Sequence, residues 1–566
     1  MPRTGDKLLG LATGAAIGVL SCLVFLPTLK NNLLKGWDDG VNLIENPYFR
    51  GFGWPQLKWM WTNHLMEHYI PLTWMSFGLD YLFWKQNSVG YHLTNILLHG
   101  LNAGLLFWLA LALLQLCQPE ASERSPVALL CGAGFAALFF ALHPLRVESV
   151  AWATERRDML STAFYILALL AYLKRFRPGV ERLSSRARCY WLSVGLFVAS
   201  LLSKEMAVTL PVALLVLDVY PLGRIGSAAD GWFRGAARRV WVEKIPFFAA
   251  AAADSFMTLY VSLGHHVADT LQETGWIRRL TITVYGLAFY LWKTVAPAHV
   301  YALYPLTRYK TDPRAAPFLI SLAVVAAITV FAFRLRRRFP ALAALWIIYV
   351  VTVLPVSGLF QNGHQIAADR YTYLPMLGWS LLAGGALAGL WQRTTGAPLY
   401  RASVATAAVL GLGLLVWRTE RQIPVWHNDE TLWTQAVAEE PSSWALADLG
   451  TAYFDDGDTL GSVSLFQRAI ALEPGYGRAH FNLGAAYLDL KRPEEALREF
   501  RIAQQLLPTF APAYDGSGNA LSQQGKVDEA ILNYRKAVEV NPDYARGRQN
   551  LRAALERKRR QMERDQ

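Results

Sequence analysis

The feature that most constrains this chain is a succession of apolar runs, each about 20 residues long, that continues to residue 418. An α-helix needs about 20 residues to cross the roughly 30 Å hydrocarbon core of a bilayer. Charged residues make up only 17% of the sequence, whereas an ordinary soluble domain carries about 25%. The pattern therefore predicts a polytopic helical membrane domain and excludes a plain soluble enzyme. We expect about eleven crossings, at residues 8–29, 91–116, 126–142, 158–173, 189–203, 205–219, 245–263, 315–333, 341–360, 371–391 and 402–418.

The distribution of basic residues predicts the orientation of these crossings. Two further runs, 69–84 and 279–298, carry charged and aromatic side chains, so we interpret them as helices lying in the membrane interface. Lys and Arg then concentrate on one side, in the loops 174–188, 220–244 and 334–338. The positive-inside rule places those loops and the N-terminus in the cytoplasm and the C-terminus on the opposite side. The net charge of +12 follows from this arrangement and does not indicate nucleic-acid binding.

The C-terminal part of the chain is a repeat array. Its prolines recur at spacings of 33, 34 and 34 residues, at positions 441, 474, 508 and 542. Residues 449–453 (LGTAY) recur as residues 483–487 (LGAAY). A period of 34 residues is typical of tetratricopeptide repeats. We predict three repeats, preceded by a half-repeat at 427–440 and closed by a polar capping helix at 544–565.

The predicted fold is therefore all-α. It combines a polytopic membrane domain over residues 1–418 with a tetratricopeptide solenoid over residues 426–566. A repeat array offers a concave groove to an extended peptide or a helix and supplies no chemistry of its own. Catalytic residues are accordingly expected in the outer loops of the membrane domain.

Two adjacent carboxylates, Asp38 and Asp39, follow the first predicted crossing. Asp is common in turns and at helix N-caps, so a structural role is one interpretation. The other is a general base or a metal ligand at the membrane surface, because neighbouring carboxylates raise the pKa of one of the pair. The residues alone allow both interpretations.

A second outer loop carries mixed charge next to a predicted crossing. Its candidate residues are His143, Glu148, Arg156 and Asp158. Charges at this depth are costly unless they line a polar cavity, which favours a functional site. An exposed ionic loop is the alternative interpretation.

Two further cations are candidates for binding an anion. Lys204 lies between two predicted crossings, where it pairs either with its neighbour Glu205 or with a ligand. Arg370, in the stretch 364–374, enters a predicted crossing from the outer side. Its planar guanidinium suits the phosphate of a lipid, because it binds phosphate bidentately. Anchoring of the helix end is the alternative for Arg370.

Residues 64–68 match the H-x-x-E-H pattern of inverted zincins. On one helix, His64 and His68 would share a face and bind zinc, with Glu67 as the base. Pro71 is expected to end such a helix, and only Glu148 suggests itself as a third ligand. Ordinary interfacial histidines are the favoured interpretation.

A set of motifs follows in order along nearly the whole chain. The motifs are Trp37-Asp38-Asp39 with Asn46-Pro47, then residues 69–73 (YIPLT), 90–99 (GYHLTNILLH), 143–148, 156–158, 203–205 (SKE), 369–375 (DRYTYLP) and 426–433. Together they resemble the transmembrane and tetratricopeptide repeat-containing glycosyltransferases of the GT-C superfamily. Two stretches depart from that family: Ile70 stands where the family has Arg, and Glu155-Arg156-Arg157-Asp158 replaces the sequence G-R-A-D.

The resemblance implies O-glycosylation of proteins, which in characterised relatives is O-mannosylation. The implied donor is a polyprenyl-phosphate-linked sugar, and the implied acceptor is a Ser or Thr hydroxyl on the outer face. The resemblance also implies that the Asp38–Asp39 pair is catalytic.

The chemistry of such a transfer assigns expected roles to the candidate residues. A hydroxyl acceptor needs a base, for which we expect Asp38, with Asp39 orienting it or the acceptor. A phosphate leaving group needs cations, and the expected ones are Arg156, Lys204 and Arg370. Glu148 is expected to be a second acid or an ion-pair partner, and His143 and Asp158 are further candidates. The sequence requires no cofactor, although a divalent metal such as Mg²⁺ or Mn²⁺ could bridge phosphate and carboxylate.

The expected partners are the lipid-linked donor, an acceptor protein held by the repeats, and membrane lipids, with no nucleic acid. A non-catalytic, membrane-anchored tetratricopeptide scaffold is the main alternative function. A transporter fits less well, because the charges lie at loop edges and not within crossings. The lack of an N-x-S/T sequon and the abundance of Ala and Arg favour a bacterial inner membrane over the endoplasmic reticulum.

The predicted topology can be tested with a reporter fused after residue 566. We expect the reporter to be on the non-cytoplasmic side, because eleven crossings place the two ends of the chain on opposite sides of the membrane. A fusion within the basic loop 220–244 serves as the cytoplasmic control. A cytoplasmic signal from the C-terminal fusion would show that residues 279–298 cross, or that another run does not.

Overall fold

The computed structural model describes residues 4–66, 68–120, 125–176, 182–226, 231–263, 275–305, 312–359, 365–394 and 396–565. The chain forms two compact units, Met1–Asn428 and Asp429–Gln566. Both are helical, as the sequence predicts, and the only strands among the described residues form one short pair.

The first unit is built from helices joined by short turns. Its α-helices are α1 (Thr4–Phe25), α2 (Trp54–Thr62), α3 (Pro71–Trp84), α4 (Ser88–Cys117), α5 (Pro126–Ala141), α6 (Val147–Ala151), α7 (Arg156–Lys174), α8 (Leu183–Leu201), α9 (Leu210–Val219), α10 (Ala236–Leu263), α11 (Trp276–Val295), α12 (Ala316–Arg334), α13 (Pro340–Val353), α14 (Met376–Arg393) and α15 (Pro398–Gln422). The helical turns between them are Leu26–Lys30, Gly40–Ile44, Pro144–Arg146, Ala153–Glu155, Glu205–Thr209, Leu354–Val356, Asp369–Thr372 and Ile423–Trp426.

Prolines explain where several of these helices begin. Pro71, Pro126, Pro340 and Pro398 are the first residues of α3, α5, α13 and α15. The first turn of a helix leaves its N–H groups without intrahelical partners, so the missing N–H of proline costs nothing there.

Four helical segments in the described parts of the chain are long and apolar enough to cross a membrane. They are Leu8–Lys30, Ser88–Cys117, Ala316–Arg334 and Pro398–Trp426, and each overlaps a predicted crossing. A fifth is added if Pro126–Ala141 and Pro144–Ala151, which meet at 56°, form one broken span. The other predicted runs form helices that are shorter or more charged, such as α9 with 10 residues. The number of eleven crossings therefore stays a prediction.

The surface of the first unit is that of an integral membrane protein. Large apolar side chains are exposed on α1, α12 and α15, including Leu11 at 59%, Phe331 at 58% and Leu410 at 68%. Polar groups are buried instead, including Asn102 and Lys244 at 0% exposure. Apolar side chains on the surface and polar groups inside are the distribution expected for a protein surrounded by lipid.

The two ends of α11 contact Leu359, inside the predicted crossing 341–360, and His143, in the second predicted outer loop. Near the start of α11, Arg279 donates to the carbonyl of Leu359 at 2.9 Å. At its end, the carbonyl of Thr294 accepts a hydrogen bond from His143 Nε2 at 3.1 Å. The interpretation of residues 279–298 as a helix in the membrane interface stays a prediction.

The second unit is a stack of antiparallel helix pairs. Its helices are α16 (Asp429–Glu439), α17 (Ser443–Asp455), α18 (Thr459–Leu472), α19 (Gly477–Asp489), α20 (Pro493–Leu506), α21 (Ala511–Gln523), α22 (Val527–Val540) and α23 (Ala545–Asp565). They correspond to the predicted half-repeat, three repeats and capping helix.

One contact recurs in each repeat and fixes how closely its two helices approach. The glycines at positions 450, 484 and 518 pack against the rings of Phe466, Phe500 and Tyr534. A Cβ atom at Gly484 would lie 2.8 Å from Phe500 Cε1, closer than van der Waals contact allows. Gly516 of the next repeat touches the same ring, and a Cβ there would lie 2.6 Å away. The Phe500 ring is thus confined on both sides.

We expect Gly484→Ala to loosen the second unit. The added methyl group cannot be accommodated by movement of Phe500, and overpacking of this kind costs about 1–3 kcal/mol. Hydrogen exchange of residues 477–506 in the full chain should become faster. Gly475→Ala is the control, because nothing lies within 4 Å of a Cβ atom at that position. Unchanged exchange in Gly484→Ala would contradict the packing argument.

Candidate active site

The loop after α1 holds the predicted carboxylate pair in a tight turn. The Gly40 N–H donates to the carbonyls of Leu34 at 3.1 Å and Trp37 at 3.0 Å. A Cβ atom at position 40 would lie 2.2 Å from the carbonyl oxygen of Lys35, so the turn requires glycine. In this turn the two adjacent aspartates have different environments: Asp39 is buried, whereas Asp38 is partly exposed.

Asp39 is completely buried and accepts three hydrogen bonds. Its Oδ1 accepts from the Thr154 backbone N–H at 2.9 Å and from the Thr154 hydroxyl at 2.5 Å, and its Oδ2 accepts from the Leu34 N–H at 3.1 Å. Burial raises the pKa of Asp39 to about 7, although these hydrogen bonds act to lower it. Asp39 therefore ties the first outer loop to the turn Ala153–Glu155.

Asp38, in contrast, keeps 27% of its side chain exposed. Its Oδ2 lies 3.8 Å from Arg157 NH2, and no described residue donates a hydrogen bond to its carboxylate. Asp38 is thus the member of the pair with lone pairs open to an incoming hydroxyl.

Glu155 is the centre of a buried charge network. Its Oε1 accepts from Arg157 at 3.1 Å from Nε and 2.5 Å from NH2, and lies 3.5 Å from Arg370 Nε. Its Oε2 lies 3.0 Å from Lys204 Nζ. Burial acts to raise the pKa of Glu155, but the charges of the three cations prevail and hold it well below its usual range.

Lys204 and Arg370 each form a second ion pair, with Asp158 and Glu148 respectively. Lys204 Nζ also contacts Asp158 Oδ1 at 2.6 Å. Arg370 pairs with Glu148 through its guanidinium, and its backbone N–H donates to Glu148 Oε2 at 2.8 Å. We call the seven residues the charge cluster; they are Asp38, Glu148, Glu155, Arg157, Asp158, Lys204 and Arg370. The cluster thus contains four acids and three cations.

Aromatic rings cover the cluster around Arg370. The guanidinium of Arg370 lies 5.3 Å from the centre of the Trp152 ring and 4.8 Å from that of Tyr371. Trp152 in turn contacts Trp37 edge-on at 5.5 Å and stacks on Trp426 at 6.1 Å. Cations are favourably placed over aromatic faces, so these rings hold Arg370 in position.

A two-stranded sheet positions the segment that carries Arg370. Strands β1 (Tyr304–Pro305) and β2 (Gln365–Ala367) pair antiparallel just before Asp369. The Tyr304 hydroxyl donates to Asp369 Oδ1 at 2.9 Å. Burial and the nearby charge of Glu148 raise the pKa of Asp369 to about 7.

The cluster brings together five of the eight residues that the sequence analysis selected: Asp38, Glu148, Asp158, Lys204 and Arg370. Asp39 adjoins it through Thr154. Arg156 and His143 contact residues outside the cluster.

Arg156 is occupied by contacts inside the protein. Its NH2 lies 2.5 Å from Asp80 Oδ2, its Nε donates to Asn95 Oδ1 at 2.9 Å, and its side chain is fully buried. Adjacent residues on a helix point about 100° apart, so Arg157 faces the cluster when Arg156 faces Asp80. Arg157, and not Arg156, therefore lies beside Asp38.

His143 caps the turn Pro144–Arg146. Its Nδ1 accepts from the Leu145 N–H at 3.3 Å, so its Nε2 carries the proton donated to Thr294. This neutral, fully bonded imidazole has no contact with the cluster among the described residues.

The zinc interpretation of residues 64–68 fails on geometry. Helix α2 ends at Thr62 and α3 begins at Pro71, so His64 and His68 do not share a helix face. Glu67 lies outside the described residues, as does His364 of the stretch around Arg370. The described residues contain no group of three His, Cys, Asp or Glu side chains that could hold a metal ion. The carboxylates of the cluster are neutralised by Lys and Arg instead.

Sequence reasoning did not single out Glu155 and Arg157. Both stand in the stretch Glu155-Arg156-Arg157-Asp158, where four consecutive charged residues beside a predicted crossing were the available signal. Which of them faces which partner depends on the start of α7 at Arg156.

We expect Glu155→Gln to destabilise the first unit strongly. Removing one charge from a buried ion pair costs about 3–5 kcal/mol, because the partner is left uncompensated. Glu420→Gln is the control, since Glu420 is exposed and surface changes usually stay within about 0.5 kcal/mol. Thermal unfolding of the detergent-solubilised chain measures both. Equal melting temperatures would show that the cluster does not depend on this charge.

Comparisons with known proteins cover both units. The family models "Tetratricopeptide repeat" and "TPR repeat" match residues 447–509 and 518–558. Among solved structures, the crystal structure of MamA is 24% identical and covers 23% of this chain and 76% of that chain, with a TM-score of 0.22.

The curated relatives extend across the membrane domain as well. The chain is 25% identical to protein O-mannosyl-transferase TMTC1 of Homo sapiens, over 85% of this chain and 57% of that protein. It is 26% identical to protein O-mannosyl-transferase Tmtc1 of Drosophila melanogaster, over 80% of this chain and 59% of that protein. The chain thus spans somewhat more than half the length of these relatives. None of this favours a bacterial inner membrane, and that localisation remains only an expectation from composition. With a helical, apolar first unit followed by repeats, the chain resembles, over most of its length, the transmembrane, tetratricopeptide repeat-containing proteins named protein O-mannosyl-transferases.

Proposed function

We propose that the chain is an integral-membrane glycosyltransferase of GT-C type. It moves a sugar, by likeness to its relatives mannose, from a polyprenyl-phosphate donor to Ser or Thr hydroxyls of proteins on the outer face. The observation that carries the proposal is the division of the aspartate pair. Asp38 keeps 27% of its side chain exposed and lies beside Arg157, whereas Asp39 is buried and held by three hydrogen bonds.

Asp38 acts as the general base. As the acceptor oxygen attacks the anomeric carbon, its proton passes to the Asp38 carboxylate. The bond from the anomeric carbon to the phosphate oxygen breaks, and the polyprenyl phosphate leaves with the electron pair. A positioned base supports this step because a hydroxyl is a poor nucleophile while it keeps its proton.

Arg157 stabilises the leaving phosphate. It is the cation of the cluster that lies beside the exposed carboxylate, and a guanidinium binds phosphate oxygens bidentately. Lys204 and Arg370 share the carboxylate of Glu155 with Arg157, so they add positive potential to the same region. Charge-assisted contacts aimed at the developing phosphate charge favour the transition state.

Asp39 and Glu148 are positioning residues in this proposal. Asp39 holds the turn that presents Asp38, and Glu148 holds Arg370 through its guanidinium and its backbone N–H. No step in this proposal requires a metal ion.

The second unit holds the acceptor protein. Helical repeats of this kind bind extended segments along a continuous surface, and tethering a substrate raises its local concentration to about the millimolar range. The repeats therefore supply affinity for the acceptor, and the membrane unit supplies the chemistry.

We expect Asp38→Asn to abolish transfer and to leave the protein folded. Losing a general base lowers the rate by roughly 10²- to 10⁴-fold, and Asp38 makes no buried hydrogen bond that the change would break. The assay measures transfer of mannose from synthetic polyprenyl-phosphate mannose to a Ser/Thr peptide. Glu45→Gln is the matched control, an exposed carboxylate in the same loop.

Two results would overturn the proposal. Asp38→Asn with activity within a factor of two of the unmodified chain would remove Asp38 from the reaction. An unmodified chain that is folded, binds protein partners and releases no sugar from the donor would identify a membrane-anchored scaffold.

A further inference from the structure

A surface patch that combines exposed aromatic rings with arginines lies at the start of α10 and has no part in the function proposed so far. The side chains of Trp232 and Phe233 are 53% and 72% exposed. Three neighbouring arginines, at positions 234, 238 and 239, are exposed as well. We call these five residues the basic–aromatic patch. It belongs to the loop 220–244, which the sequence analysis assigned to the cytoplasmic side.

The fold holds both aromatic rings at the surface. Phe233 stacks on Trp241, with the ring centres 5.6 Å apart and an angle of 21° between the ring planes. Trp241 Nε1 donates to the carbonyl of Trp232 at 2.8 Å. The Gly226 N–H donates to the carbonyl of Gly231 at 2.9 Å, which ties the patch to the segment before it. The exposure of the two rings is therefore a property of the folded segment and not of a frayed end.

Packing on the inner side of α10 sets the direction of two of the arginines. Ala237 and Val240 form a buried apolar cluster with Ile225. Successive residues of a helix point about 100° apart. Because Ala237 and Val240 point into the protein, Arg238 and Arg239 between them point outward, and both are exposed.

The arginines of the patch form no ion pair with a described residue. Residues 231–242 contain no Asp or Glu, and Asp230 lies outside the described residues. The next carboxylate, Glu243, is already paired with Arg175 at 3.2 Å and with Arg224 at 2.8 Å. The three positive charges of the patch are therefore not neutralised within the described parts of the chain.

The surroundings of the patch favour a membrane lipid as its partner. Val242 and Ile245, which are 56% and 60% exposed, continue the apolar surface along α10 into residues 245–263, for which the sequence predicts a crossing. A patch at the end of such a crossing meets the headgroup region of the bilayer, which aromatic rings favour. Clustered arginines at this depth are attracted by anionic headgroups, and a guanidinium binds phosphate bidentately.

We propose that the basic–aromatic patch binds anionic phospholipids of the cytoplasmic leaflet. The three guanidinium groups contact the lipid phosphates, and the rings of Trp232 and Phe233 insert between the headgroups. This contact fixes the start of α10 at the membrane surface. The inference is independent of the proposed transferase reaction, because no residue of the patch belongs to the charge cluster.

The test is hydrogen exchange of the full-length protein in nanodiscs of two lipid compositions. One disc contains phosphatidylcholine alone, and the other contains an equal mixture of phosphatidylcholine and phosphatidylglycerol. We expect the amides of residues 231–245 to exchange about fivefold more slowly in the anionic disc, because opening of this segment withdraws arginines from a negative surface. Sodium chloride at about 1 M should remove the difference, because it shortens the Debye length to about 3 Å.

Two triple variants identify the groups responsible. Replacement of all three patch arginines, Arg234→Gln, Arg238→Gln and Arg239→Gln, should abolish the dependence on lipid composition. The control makes the same change in charge at exposed arginines of the second unit and should keep that dependence; its substitutions are Arg468→Gln, Arg498→Gln and Arg501→Gln. Unchanged exchange of α7 in each variant shows that the first unit remains folded.

Equal exchange of residues 231–245 in the two discs would overturn the proposal. A difference between the discs that persists in the variant without the patch arginines would overturn it as well. A patch that serves a soluble protein partner would give the first of these results, because its exchange in the absence of that partner does not depend on the charge of the lipid. The readout requires no transferase activity, so failure of the proposed function leaves this test intact.

Discussion

A central constraint in the first unit is the pairing of three cations with one buried carboxylate, Glu155. Glu155 is completely buried, and the cations that meet it come from the start of α7, from the turn before α9 and from the segment after β2. A charge in a low-dielectric interior is costly unless it is paired. The three segments must therefore converge on Glu155, and this convergence places Asp38 beside Arg157.

The same constraint explains why two adjacent aspartates have different chemistry. The turn at Gly40 directs Asp39 into the protein, where the backbone and hydroxyl of Thr154 bind it, and leaves Asp38 at the surface of the cluster. Asp39 connects the first loop to Ala153–Glu155, so the exposed carboxylate and the charge network are parts of one rigid arrangement.

Helix packing in both units relies on small residues at close contacts. In the membrane unit, Gly132 of α5 and Gly384 of α14 face each other so closely that a Cβ atom on either would lie within 2.5 Å of the other's carbonyl oxygen. Such contacts replace the hydrophobic driving force that lipid does not supply. In the repeats, aromatic rings pack against the glycines at 450, 484 and 518. These contacts are stabilised by the hydrophobic effect, because the repeats fold in water.

The sequence by itself determined the helical class, the presence of tetratricopeptide repeats and their period. These properties are local, because the length of an apolar run and a 34-residue period can be read from neighbouring residues. It also identified charged stretches that meet in the charge cluster, including those of Asp38, Lys204 and Arg370.

Only the tertiary structure decided which charge meets which. Lys204 reaches Glu155 across 49 positions, and Arg370 reaches Glu148 across 222. No periodicity encodes such pairings. The structure turned Arg156 toward Asp80 and Arg157 toward Asp38, made His143 a capping residue, and gave Glu155 the central place. The physical reason is that a buried ion pair is fixed by the three-dimensional approach of two segments, which the free energy of the whole fold determines, whereas a helix is fixed by contacts within four residues.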